Sequence, residues 1–295
     1  MLVATIGNFD GVHRGHQAIV AAARAAAGPS GRVVAVTFEP LPVAVLRPDS
    51  VQERLTSSAR RESLLRASGC DDVVALDPRQ GILGASPEEF IASLRRQVPF
   101  NAIAEGGDFR FGRARSGDVS TLRQIGERAD FRTIEVPEVH EHLADGTEVA
   151  ARSTAVRWLL SMGRVQDAQR LLGRPYALEG TVRQGDQRGR LLGFPTANVH
   201  APGMALPADG VYAGEAVVDG VTLPAAISVG TKPTFGGAGR TCEAHLVGFQ
   251  SPLDRYGWEV ELRFTRWIRP QWKFPGPDAL VAQLRHDVAR AAALA

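Results

Sequence analysis

The chain has 295 residues, 44% of them hydrophobic and 22% charged, which is the usage of a folded globular protein and excludes a largely disordered one. At roughly 100–200 residues per domain, two domains are expected. Lys and Arg number 34 against 32 Asp and Glu, a net charge of +2, too small to argue for nucleic acid as a partner.

Along the first half, strand and helix signals alternate. Residues 2–6 form a short apolar strand. Residues 15–27 are Ala-rich and helical, stopped by Gly28-Pro29-Ser30-Gly31. Residues 32–38 (RVVAVTF) are β-branched and strand-like, ended by Pro40 and Pro42. Residues 58–67 are helical and 73–76 extended. Ser86-Pro87-Glu88-Glu89 is a helix start, with Ser as cap and Glu three residues later, and its helix runs to about residue 97. Residues 102–104 and 133–136 supply further strands, with a helix near 119–128 between them. Five strands separated by helices predict a Rossmann-like α/β unit, a parallel sheet with helices on both faces.

Beyond this the pattern changes. Residues 153–162 and 165–172 read as two short helices joined at Gly163, and Leu171-Leu172-Gly173-Arg174-Pro175 reads as a helix end and a boundary. Two domains follow, residues 1–172 and 173–295. From Tyr176 on, apolar runs alternate with turns, and Asp219-Gly220 is a tight-hairpin signal. This half predicts a small antiparallel β-barrel, closed by a terminal helix over 278–294.

The cysteines, Cys70 and Cys242, have no metal-ligand or disulfide spacing and read as reduced thiols. No basic segment precedes the first apolar run, and no run approaches the ~20 apolar residues of a membrane span. A cytoplasmic protein without a membrane partner is expected. Whether it self-associates stays open.

Two constellations carry chemistry. The first is Gly7-Asn8-Phe9-Asp10-Gly11-Val12-His13-Arg14-Gly15-His16, between the first strand and the first helix. In an open parallel sheet that junction binds ligands, glycines there admit a ligand to the backbone, and a helix N-terminus attracts phosphate. His13 and His16, three apart, face one way and can donate to phosphate oxygens as charge builds. Ser153-Thr154-Ala155-Val156-Arg157 opens a later helix. Ser and Thr are ordinary caps, but Arg157 within one turn can hold pyrophosphate oxygens in bidentate fashion. Thr37-Phe38-Glu39-Pro40 and the loop Gly106–Gly112, with Asp108, Phe109 and Phe111, lie at other strand ends. The latter fits a ring-binding loop.

The second constellation runs from Gly185 through Gly189, Arg190, Gly193, Phe194 and Pro195 to Thr196 and Asn198. Thr196 and Asn198, two apart on extended chain, point to one side and can share a Mg²⁺ ion with nucleotide phosphates. Glu243 lies in an apolar strand. Such a carboxylate usually faces solvent; here it also suits a general base for a substrate hydroxyl.

His-x-Gly-His after Gly-x-Phe-Asp, with Ser-Thr-x-x-Arg, resembles the nucleotidyltransferase signature. The run Gly-Arg-x-Leu-Gly-Phe-Pro-Thr-Ala-Asn, then Gly210-Val211-Tyr212-Ala213, Gly230-Thr231-Lys232-Pro233-Thr234-Phe235-Gly236 and Glu-x-His-Leu, resembles riboflavin kinase. Together they resemble the bacterial bifunctional riboflavin kinase/FMN adenylyltransferase family over nearly the full length. The resemblance implies that ATP with Mg²⁺ sits over residues 189–198 and that Glu243 takes the proton of the riboflavin 5′-hydroxyl, giving FMN. It further implies that FMN attacks the α-phosphate of a second ATP, with His13 and His16 stabilising that phosphate and Ser153, Thr154 and Arg157 holding pyrophosphate, giving FAD. The chain departs from the family pattern at Leu41, where a His is usual, and at Arg152, where a Ser is usual. Retained but altered adenylyl transfer is expected. The alternatives are a riboflavin kinase whose N-terminal half is weak, inactive or altered in specificity, and a flavin carrier without turnover. Intact Thr196, Asn198 and Glu243 argue against the last.

Overall fold

The computed structural model describes residues 1–49, 52–185, 187–231, 240–250 and 255–294. Lys232 to Gly236 and Asp186, both within the motifs quoted above, lie outside the described residues. The chain divides into two compact units. The first comprises Met1–Gln52, Ser57–Glu141 and Glu148–Arg152; the second comprises Glu53–Thr56, His142–Thr147 and Ser153–Ala295.

In the first unit the expected strands form: β1 (Leu2–Ile6), β2 (Arg32–Phe38), β3 (Asp72–Leu76), β4 (Ala102–Gly106) and β5 (Arg132–Val136). They form one sheet in the order β3-β2-β1-β4-β5, and all its pairs are parallel. The order reverses between β1 and β4, so the topological switch point of the fold lies there. Side-chain alternation splits the core into two layers. Val3, Val33, Ala35, Ala102 and Ala104 pack with Val20 and Ala23 of helix α1 (Arg14–Ala27). Ala4, Ile6, Val34, Val36 and Ile103 point the other way, against α4 (Pro87–Gln97) and α5 (Val119–Ala129) through Phe90, Leu94, Leu122 and Ile125. The capping box read at Ser86 and Glu89 is present in full. Between α1 and α4 stand α2 (Pro42–Leu46) and α3 (Ser58–Ala67). The short α2 was not expected; Pro42 starts it, where a missing N–H costs no helical hydrogen bond. Two short strands, β6 (His140–His142) and β7 (Glu148–Ala150), were also not expected, and they pair as a ribbon.

The second unit is built on a closed barrel in the order β10-β11-β12-β9-β8-β13. Its strands are β8 (Tyr176–Arg183), β9 (Ala197–His200), β10 (Gly210–Val218), β11 (Val221–Thr231), β12 (Arg240–Leu246) and β13 (Glu259–Arg269). The neighbours pair antiparallel. The strand β9 was hidden in the sequence inside the Pro-Thr-x-Asn turn. A single turn of helix, α8 (Arg188–Leu191), precedes it, and α9 (Pro277–Leu294) ends the chain. Arg269 on β13 forms a buried bidentate pair with Asp287 of α9 at 2.7–3.1 Å, and Ala291 packs on Val211, Ala213 and Ile268.

The helices α6 (Ser153–Ser161) and α7 (Val165–Leu172) group by packing with the barrel, whereas the sequence reading placed the boundary after residue 172. The α7 helix buries Val165, Ala168, Leu171 and Leu172 against β13 and β8. The Leu160 carbonyl accepts the Ala208 N–H at 2.8 Å. We therefore propose that a self-sufficient C-terminal fragment begins at Ser153. Each large apolar side chain uncovered costs about 1.5–3 kcal/mol, so residues 153–295 should unfold at clearly higher urea than residues 173–295. Equal urea midpoints for the two fragments, followed by circular dichroism, would place the boundary at 172 after all.

Candidate active sites

The loop after β1 is tightly built. Phe9 and Val12 hold φ of 48° and 40°, a left-handed conformation that side chains rarely adopt. Both are buried, as are Asp10 and His13, so packing offsets the strain. His13 stands at the N-cap of α1 in extended conformation without capping it through its side chain. The N-terminal end of α1, where a helix favours an anion, thus carries no imidazole cap. The His13 and His16 rings stack at 3.6 Å and 25°, and Phe9 meets His16 edge-on at 5.1 Å. Burial, and next the neighbouring His13, hold His16 well below its ordinary pKa of 6.5. It therefore enters as a neutral imidazole, and its Nδ1 has no hydrogen-bond partner among the described residues. Gly15 is required by close approach: a Cβ there would lie 2.8 Å from the Ala151 carbonyl oxygen.

Beneath this loop lies a residue the motifs missed. The β1–β4 pairing ends at Ala4 and Ile103, while β1–β2 runs on to Ile6 and β4–β5 to Gly106. The two central strands part at the switch point, and the carboxylate of Glu105 fills the gap. It accepts the Ile6 N–H at 2.5 Å and the Thr5 hydroxyl at 3.4 Å, and is 2% exposed. The signal was a charge inside the apolar run Ala102–Gly106. Burial pushes its pKa well above the ordinary 4.5, opposed by those hydrogen bonds and helped by Asp108. Above pH 4.5 the folded state keeps a proton that the unfolded state loses, so stability falls as pH rises toward the folded value. Glu105→Gln should flatten that fall, read from the first unit's urea midpoint between about pH 5 and 8. An unchanged slope would assign the pH dependence elsewhere.

The ring-binding expectation for Phe111 needs correction. Phe111 is 5% exposed and belongs to the core with Phe90 and Leu94. Phe109 stacks on it at 5.2 Å and 16° and is only partly buried, while Asp108 is exposed. Phe111 thus supports Phe109 and cannot itself present a face. Arg152 is engaged within its own unit: its Nε donates to Glu138 at 2.6 Å, and its Nη2 lies 3.6 Å from Asp108. Leu41 is 3% exposed. Exposed ion pairs contribute about 0–1 kcal/mol, so Arg152→Ser should change the KM for FMN by less than about fivefold. Leu41→His would bury a polar ring and lower stability instead of raising activity. A tenfold or larger gain in FAD formation by either variant would contradict this assignment.

In the second unit, Ser153 and Thr154 open α6, and Arg157 Nε donates to the Glu53 carbonyl at 2.8 Å. The barrel brings the other candidates together. Along β12, Cys242, Ala244 and Leu246 are buried while Thr241, Glu243 and His245 take the other face. Register sets Glu243 opposite Asn198 on one side and Ser228 on the other. The Thr196 hydroxyl donates to Glu243 Oε2 at 3.3 Å, and His245 Nδ1 donates to the Pro195 carbonyl at 2.9 Å. The Phe194 N–H closes on the Gly189 carbonyl at 2.7 Å. Gly185 lies against Asn198, where a Cβ would fall 2.3 Å from Nδ2. Gly193, with φ of 83°, makes the turn before Phe194.

Two cavities meet here. The smaller, about 100 Å³, is lined by Arg190, Thr196, Asn198, Phe249, Tyr256 and Trp258. The larger, about 780 Å³, is lined by Phe194, Thr196, Glu243, Gln271, Trp272 and Phe274 among others. Thr196 lines both, so it stands in the wall between them. The larger one has the volume and apolar lining of a cofactor-sized site. Thr196 and Asn198 offer hard, neutral oxygens that suit Mg²⁺ when phosphates complete its shell. The described residues hold no cluster of three or more His, Cys, Asp or Glu for a metal.

An open parallel sheet with His-x-Gly-His at its switch point, and a closed barrel with Pro-Thr-Ala-Asn facing a strand glutamate, define a nucleotidyltransferase unit joined to a small kinase unit. The comparisons agree. Residues 1–149 match the FAD synthetase family and residues 172–295 the riboflavin kinase family. The bifunctional riboflavin kinase/FMN adenylyltransferase of Escherichia coli K12 is 34% identical, covering 97% of this chain and 90% of that protein. Its counterpart from Pseudomonas fluorescens is 37% identical, covering 99% and 93%. A Streptococcus pneumoniae crystal structure described as a macrolide-efflux protein superposes with a TM-score of 0.87 at 30% identity, covering 98% of this chain and 93% of that one. No helix among the described residues is long and apolar enough to cross a membrane. The chain belongs to the bifunctional riboflavin kinase/FMN adenylyltransferase family.

Proposed function

We propose that the barrel unit phosphorylates riboflavin and that the parallel-sheet unit adenylylates the resulting FMN. The observation that carries the reading is the Thr196–Glu243 hydrogen bond in the wall shared by two cavities. A nucleotide over residues 189–198, with its γ-phosphate at Thr196, and a flavin in the larger cavity would bring acceptor and phosphate to one wall. Glu243 Oε2 takes the proton of the 5′-hydroxyl, whose oxygen attacks the γ-phosphorus. The bond from that phosphorus to the bridging oxygen breaks, and ADP leaves. Thr196 and Asn198 would hold Mg²⁺, which supplies charge neutralisation at the phosphates when bound.

In the first unit the FMN phosphate oxygen attacks the α-phosphorus of ATP, and pyrophosphate departs. His13 and His16 donate to that phosphate, Gly7, Asn8, Phe9 and Asp10 form its cradle, and positioning with charge stabilisation suffices. Ser153, Thr154 and Arg157 are assigned to pyrophosphate by their motif, and Asp108 with Phe109 to the flavin. A cytoplasmic location fits the two buried, free thiols.

Incubation with riboflavin, ATP and Mg²⁺, read by chromatography, should yield FMN and FAD; FMN alone would favour a kinase with an inert first unit. Glu243→Gln should lose about 10²–10⁴-fold in FMN formation yet still convert supplied FMN to FAD. His16→Ala should do the reverse. Near-normal phosphorylation by Glu243→Gln would remove that residue from the mechanism.

A further inference from the structure

The peptide joining Asn8 to Phe9 is held by side chains that belong to neither motif. The Asn8 carbonyl accepts from Arg61 Nη1 at 3.2 Å and from the Thr37 hydroxyl at 3.3 Å. The other arm of the same guanidinium, Nη2, donates to the Phe38 carbonyl at 3.1 Å and to the Glu39 carboxylate at 2.8 Å. Arg61 is 1% exposed and Thr37 2%. A buried guanidinium is tolerable only when its charge and donors are matched. This one is matched by the end of β2 and the loop after β1, and α3 carries it. Arg61 therefore joins two segments of the first unit that the sheet pairs only further back.

The direction of the pull matters. In a trans peptide the C=O and the N–H point opposite ways. Two donors draw the Asn8 oxygen toward β2 and α3, so the Phe9 N–H is directed away from both. That N–H has no hydrogen-bond partner among the described residues. The φ of 48° at Phe9 and the buried Phe9 ring hold the peptide in this orientation.

We propose, resting on the adenylyl-transfer reading above, that Arg61 is a positioning residue for that reaction: with Thr37 it locks the Asn8–Phe9 peptide so that the Phe9 N–H is held out as a donor to nucleotide phosphate oxygens. Arg61 does not touch substrate. Its effect reaches the reaction through one peptide plane.

The test is steady-state FAD formation from FMN and ATP by the full chain, as Arg61→Met, Arg61→Lys and Thr37→Val, with riboflavin phosphorylation by the same chains alongside. Loss of one positioned donor costs about 10²–10³-fold in kcat. Arg61→Met should therefore lose about 10²-fold in kcat, with the KM for FMN and riboflavin phosphorylation near parental. Arg61→Lys keeps the charge but cannot span both carbonyls, and should recover only part of the rate. Thr37→Val removes the second donor and should lose several-fold in kcat alone. It also carries the test if Arg61→Met does not fold. Parental kcat in Thr37→Val and Arg61→Lys overturns the inference, as does a loss that appears in KM for FMN and not in kcat. No FAD from the parent chain overturns the adenylyl-transfer reading and this inference together; FAD from the parent with unaffected variants overturns this inference alone.

Discussion

Strand register in the barrel is the constraint on which the kinase chemistry rests. Residues alternate faces along β12, so a shift of one would exchange Glu243 with Cys242 or Ala244 and turn the carboxylate inward. Pairing on both edges prevents that shift. On one edge β11 sets Ser228 opposite Glu243; on the other the short β9 sets Asn198 opposite it. Closure through β9 also leaves Thr196, just before the strand, within hydrogen-bond reach of Glu243. The proposed base and the proposed metal-side oxygens are thus two outcomes of one ladder, and the buried Arg269–Asp287 pair fixes α9 over the larger cavity.

The parallel-sheet unit uses a different device. There the proposed ligand region lies where two central strands part. Glu105 fills the parting from one side, and Arg61 ties the loop after β1 to the end of β2 from the other. Both are ionisable groups almost fully buried, a costly arrangement that persists where partners compensate it. His13 and His16 add a third polar pair, neutral enough at His16 to stack. Such conflicts between local preference and environment concentrate at working sites.

Much of this was legible in residues whose conformation is local. The capping box at Ser86, the helix stop at Gly28 and the tight turn at Asp219-Gly220 follow from backbone chemistry within a few residues, and all three appear. The His-x-Gly-His and Pro-Thr-x-Asn segments were legible because each compresses a turn, a close backbone approach and a polar side chain into one run. The strand β9 was not, because a four-residue strand beside a proline turn carries too little periodicity. Phe111 could not be told from Phe109, since alternation along a loop does not say which ring meets the core. The partners of Arg152 were not legible either, because Glu138 and Asp108 are distant from it in sequence.

The sequence by itself therefore determined the class of each unit and the order of nearly all strands along the chain, because those rest on short-range periodicity and turn residues, while its candidate site residues, Glu243 among them, rested on short motifs and a family resemblance. Only the tertiary structure decided which strands are neighbours, that α6 and α7 pack with the barrel, that Thr196 stands between two cavities, and that Arg61 and Glu105 lie under the first loop. Those depend on contacts between residues far apart in sequence, where burial and hydrogen-bond geometry, and not local propensity, select the partner.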